Sequence, residues 1–102
     1  MTFDLEEAFL LLSQLVAIRS YPGEEGAVQQ AIAEWFRQQG LVPELLTTDS
    51  GQPNLLMRIE NGEGPTILLN GHVDTVLAAQ NWSCDPWQGR REGTRFYGMV
   101  AG

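Results

Sequence analysis

The 102 residues of this chain suffice for one small domain with a single core. Thirteen acidic residues face six basic ones, all arginine, for a net charge of -7. Such a surface repels polyanions, which argues against nucleic acid and anionic membranes as partners. No apolar stretch approaches the ~18 residues of a membrane span. Cys84 is the only cysteine, so no internal disulfide can form. The acidic start, Met1-Thr-Phe-Asp-Leu-Glu-Glu, lacks the basic segment and apolar run of a signal peptide, and a cytoplasmic location is expected.

A first helix is expected over residues 4–19. Asp4 and Glu7 match a capping box, and Leu5, Ala8, Phe9, Leu12 and Val16 recur at helical spacing. The stretch Ser20-Tyr-Pro22-Gly23 breaks it. A second helix is expected from about Glu24 to Gln39, with Val28, Ala31, Ile32, Trp35 and Phe36 on its buried face. Glu24 and Glu25 suit its first turn, and Gly40 suits the position just past its end.

From residue 41 the period changes. Leu41 to Leu46 reads as a strand, with Pro43 favouring an edge position. Thr47 to Pro53 is loop, and Leu55, Met57 and Ile59 mark a half-buried strand. Asn61-Gly-Glu-Gly-Pro65 has the length of a hairpin turn, which makes Thr66 to Asn70 the next strand and an antiparallel neighbour. The expected fold is therefore a layered α/β/α arrangement on a mixed sheet. Beyond Val76, Trp82-Ser-Cys-Asp85-Pro86-Trp87-Gln-Gly89 reads as an ordered loop whose aromatic residues pack down, and Arg95 to Tyr97 opens another strand.

The chemistry-bearing stretch is Ile67-Leu-Leu-Asn-Gly-His72-Val-Asp74. At strand spacing, positions two apart face the same side, so His72 and Asp74 project together from the strand's carboxyl end. That is where open α/β sheets place their ligand sites. An imidazole beside a carboxylate suits a metal ligand held in one tautomer, and equally a general base held by an orienting acid. One histidine does not complete a zinc site, which takes three or four protein ligands.

The string Leu68-Leu69-Asn70-Gly71-His72-Val73-Asp74-Thr75-Val76 resembles the first signature of the zinc-dependent aminoacylase and carboxypeptidase family, whose members include acetylornithine deacetylase and succinyl-diaminopimelate desuccinylase. Trp82, Asp85-Pro86-Trp87 and Gly89 are similar to that family's W-x-x-D-P-F-x-G segment, with Trp87 where Phe is usual. Tyr97-Gly98 resembles the start of its Y-G-R-G-A-x-D-M-K motif. The Ser-x-Pro-Gly-Glu-Glu turn between two helices adds to the likeness, which spans nearly the whole chain.

The resemblance implies a two-zinc hydrolase, with cobalt as an alternative metal, acting on N-acyl amino acids or peptides. By analogy His72 is a metal ligand. Asp74 is the catalytic-site carboxylate that does not ligate but clamps the imidazole. The metals would lower the pKa of a bridging water and polarise the scissile carbonyl. Two departures stand out: Val100 where the family has glycine, and Met99 where arginine is common. The resemblance further places a bridging Asp directly after Gly102, with a Glu general base, further ligands and a dimerising domain beyond. Residues 1–102 thus read as the N-terminal portion of a metal-binding catalytic domain, inactive alone and homodimeric when whole. Two alternatives stay open. One is a non-catalytic acidic α/β domain with a structural His72; the other is a binding module recruiting a partner through Trp82 and Trp87.

Overall fold

The computed structural model describes residues 4–99. Helices α1 (Leu5–Val16) and α2 (Gly26–Gln38) are followed by strands β1 (Glu44–Thr47), β2 (Pro53–Leu56), β3 (Arg90–Glu92) and β4 (Arg95–Tyr97).

Helix α1 starts where expected. Asp4 lies in extended backbone and its carboxylate accepts from the Glu6 N–H at 3.0 Å, satisfying one of the helix's free amides. Glu6 and Glu7 place negative charge at the positive end of the helix. The helix ends at Val16, short of the expected 19, because the chain tightens there: the Ile18 N–H donates to the Leu15 carbonyl at 3.1 Å.

Helix α2 begins at Gly26 rather than Glu24, because the Glu24 N–H is committed to the Tyr21 carbonyl at 2.8 Å, across a turn in which Gly23 has φ +91°. Its end matches the sequence. Gly40 takes φ +80°, its N–H donates to the Arg37 carbonyl at 2.9 Å, and the Leu41 N–H donates to the Phe36 carbonyl at 3.0 Å. This is the paired closure that a glycine past a helix end allows.

Strands β1 and β2 form an antiparallel ribbon in the register Glu44↔Leu56 to Thr47↔Pro53, and α2 packs against it. Thr48 closes the connecting loop, donating to the Gln52 carbonyl from both its N–H (3.2 Å) and its hydroxyl (2.6 Å). Strands β3 and β4 form a second ribbon, Arg90↔Tyr97 to Glu92↔Arg95. Its turn has Gly93 at φ +62°, the positive φ at the first central residue that a two-residue hairpin favours. The expectation at Arg95 to Tyr97 holds. Its partner β3 has no apolar residue and escapes hydrophobic patterning; the Glu92-Gly93-Thr94-Arg95 turn was the available signal. The core gathers Val16, Val28, Ala33 and Met99.

The sheet differs from expectation. Helices and antiparallel ribbons are both present, as in an α/β chain, but the described residues form two separate two-stranded sheets rather than one mixed sheet between helical layers. Thr66 to Asn70 carries no strand pairing, and Ile67, Leu68 and Leu69 are 83%, 79% and 90% exposed. A run apolar on both faces needs a neighbour on each edge and cover on each side. The described residues supply neither: β2 pairs with β1 along one edge, and its other edge takes no strand.

Candidate functional site

His72 and Asp74 come together, though from an irregular segment and not from the end of a strand. The ring Nδ1 lies 3.0 Å from Asp74 Oδ1 and 3.0 Å from the Asp74 carbonyl oxygen. Both are acceptors, so Nδ1 carries the proton in the neutral ring, and Nε2 is left with a free lone pair. Nε2 has no hydrogen-bond partner among the described residues. With 64% of the His72 side chain and 44% of the Asp74 side chain exposed, the pair is open to a ligand.

The segment carrying the pair is held by the turn that follows α1. Ser20, 4% exposed, donates its hydroxyl to the Val73 carbonyl at 2.7 Å, and its own carbonyl accepts from the Thr75 N–H at 3.0 Å. The Tyr21 hydroxyl accepts from the Ala78 N–H at 3.2 Å. Sequence reasoning missed these anchors, reading Ser20 and Tyr21 as a helix break and as part of a turn shared with the family. Their bonds cross 53 and 57 residues, and no local pattern announces them.

His72 stands between two hollows. One, of about 180 Å³, is walled by Leu12, Leu15, Val28 and Met99, with Ser20 and Thr75 as its polar members. The other, also about 180 Å³, is polar and is bordered by Glu25, Ser50, Gln52, Asn54 and Asp74. The Gln52 side-chain carbonyl accepts from the Gly26 N–H at 2.8 Å, tying this border to the start of α2.

The Trp82 to Gly89 loop is ordered as the sequence predicts. Asp85 accepts from the Trp87 N–H at 2.9 Å, and the Trp87 ring packs edge-on against Tyr21 with centroids 5.6 Å apart. Trp87 is thereby part of the scaffold under the site, while Trp82 is 38% exposed. Met99 donates its N–H to the Pro86 carbonyl at 2.8 Å and is buried against the same scaffold. The departure at Val100 lies outside the described residues.

The donor set fits one corner of a metal site. A bare imidazole nitrogen with its ring fixed from behind is the form in which histidine ligates. Among the described residues, however, no three His, Cys, Asp or Glu side chains converge to hold an ion. Among them, too, no helix is long and apolar enough to cross a membrane.

The described residues are thus those of an α/β chain with an oriented histidine–carboxylate pair beside a polar groove. No protein-family model matches it. It is 38% identical over 73 residues to an acetylornithine deacetylase of Vibrio parahaemolyticus, covering 71% of this chain and 19% of that protein. It is 33% identical over 78 residues to an acetylornithine deacetylase of Vibrio atlanticus, covering 76% and 20%. A protein of Pyrococcus furiosus named as a LysW-lysine/LysW-ornithine hydrolase is 37% identical over 71 residues, covering 70% and 20%. The chain belongs to the acetylornithine deacetylase family of hydrolases. It spans about a fifth of the length of the curated relatives it matches.

Proposed function

We propose that residues 1–102 are the N-terminal portion of the catalytic domain of a metal-dependent amide hydrolase, acting on N-acyl amino acids of the acetylornithine kind or on related peptides. The single observation that carries this reading is the His72–Asp74 pair, with Nδ1 on the carboxylate and Nε2 open. His72 would hold one metal ion, zinc or cobalt, through Nε2. Asp74 keeps the ring turned and more basic without ligating. When bound, the metal supplies an acidified water and polarises the substrate carbonyl. The other ligands and the general base would come from outside this chain, consistent with the lack of a three-ligand cluster among the described residues. In the whole enzyme, which we take to be a cytoplasmic homodimer, Thr66 to Asn70 would enter a mixed sheet in a layered α/β/α domain. The exposure of Ile67, Leu68 and Leu69 supports this.

Zinc titration of the 102-residue chain, followed by His72 resonances, tests the ligand role. Weak binding that perturbs His72 is expected, and a stoichiometric submicromolar site in this chain alone would overturn the shared-site reading. In the complete enzyme, His72→Ala should abolish hydrolysis of N-acetylornithine and lower metal content. Full activity in that variant would refute the function.

A further inference from the structure

Asp74 is flanked by two peptide groups, and a single residue holds both. The carbonyl of the 73–74 peptide accepts the Ser20 hydroxyl at 2.7 Å, and the N–H of the 74–75 peptide donates to the Ser20 carbonyl at 3.0 Å. The first plane sets φ of Asp74 and the second sets ψ, because only these two torsions lie between them. In a trans peptide the C=O and N–H point opposite ways, and the chain has no cis bond among the described residues. With the Thr75 N–H aimed at Ser20, the Asp74 carbonyl must point away from Ser20. It does so, toward His72 Nδ1 at 3.0 Å, alongside Asp74 Oδ1.

Burial makes this arrangement firm. Ser20 is 4% exposed and Thr75 8% exposed, so water does not compete freely for either bond. The His72 and Asp74 side chains are open to solvent, and their own hydrogen bond is correspondingly weak in isolation. The exposed pair therefore borrows its geometry from a buried residue far away in sequence.

We infer that Ser20 is a positioning residue for the His72–Asp74 pair. By fixing both peptide planes around Asp74, it presents two acceptors to Nδ1 and so selects the Nδ1–H tautomer that leaves Nε2 bare. The consequence for metal binding rests on the proposed role of His72, but the effect on the tautomer does not.

His72 is the only histidine, so its ring nitrogens can be read without ambiguity by 15N-edited NMR of the full chain in alkaline buffer, where the spectrum itself identifies the neutral ring. The wild-type chain should show predominantly Nδ1–H. Ser20→Ala should lower the ratio of Nδ1–H to Nε2–H by about fivefold, the equivalent of one net hydrogen bond. Ser20→Thr, which retains the hydroxyl, should restore the wild-type ratio. Circular dichroism identifies folded variants; if Ser20→Ala unfolds, Ser20→Cys, with a weaker donor of similar size, is judged by the same ratio. A folded Ala or Cys variant with the wild-type tautomer overturns the inference. Adding zinc to the wild-type and Ser20 variants separates the two readings. A ring that responds to Ser20 but is never perturbed by zinc leaves the positioning role standing and removes the metal role.

Discussion

At Gly89 the backbone takes φ +73°, and a methyl group built there would run into the Phe96 ring. Backbone strain and the clash act together, so Gly89→Ala should cost about 1–3 kcal/mol from either cause alone. A shift of the urea midpoint measures it, and an unchanged midpoint would show that Phe96 can move aside freely. At the site, Asp74→Asn keeps the shape of the side chain but removes its charge. In the complete enzyme this should weaken metal retention or turnover by roughly 10–100-fold. Metal content by mass spectrometry together with kcat would report it, and two unchanged values would refute the clamp. The pairing of His72 with Asp74 was legible because it is local: the groups lie two residues apart, and a short turn suffices to join them. The role of Ser20 was not legible, because its bond to Val73 spans 53 residues.

The elements meet at a latch between α1 and the β3–β4 ribbon. Arg91 reaches Glu6 through two nitrogens, at 2.6 and 3.0 Å, and its guanidinium lies 3.9 Å from the centroid of the Phe9 ring. The hydrogen bond and charge of Arg91 lower the Glu6 pKa, and Glu6 in turn raises that of Arg91. The sign for stability follows from Glu6. A carboxylate whose folded pKa is depressed stabilises the fold above its unfolded value, about pH 4.3, and loses that contribution as pH falls through the folded value. The latch is exposed, so the effect should be small and screened by salt. Comparing wild type with Arg91→Gln between pH 7 and 3 should show a stability difference that vanishes at the acid end. A difference that persists at pH 3 would assign it to the Phe9 contact. The same scale shows why helices were read better than sheets. The Asp4 cap and the Gly40 closure depend on neighbours within a few residues, and both stand where the sequence puts them. The strand pairs are local as well, β1 with β2 and β3 with β4 across short turns, but a strand has two edges and its sequence does not say which neighbour fills each one.

The whole molecule is looser than its length suggests. Its radius of gyration is 15.2 Å, against about 13 Å for a compact domain of ~100 residues. No large side chain is fully buried among the described residues, while Ile67, Leu68, Leu69, Val76 and Leu77 are each 70% exposed or more. Apolar surface of this kind associates, although the charge of -7 opposes it. The chain should therefore unfold with low cooperativity and self-associate as concentration rises in sedimentation experiments. Leu69→Glu should reduce that association, and a monomeric wild type with a sharp transition would contradict the expectation.

What the sequence determined by itself was largely what depends on short separations: the two helices with the Asp4 cap and the Gly40 closure, the break at Ser20 to Gly23, and the adjacency of His72 to Asp74. The family signature lay in the order of those same short motifs. The tertiary structure alone decided which strands pair, leaving Ile67 to Leu69 without a neighbour despite their strand-like composition. It also decided that one buried serine holds both peptide planes of Asp74. For Ser20 the physical reason is separation: a local hydrogen bond closes a short loop at little entropic cost, whereas a partner 53 residues away is selected by the packing of everything between. For the strands it is the choice between two short-range partners, which depends on what covers each face and edge.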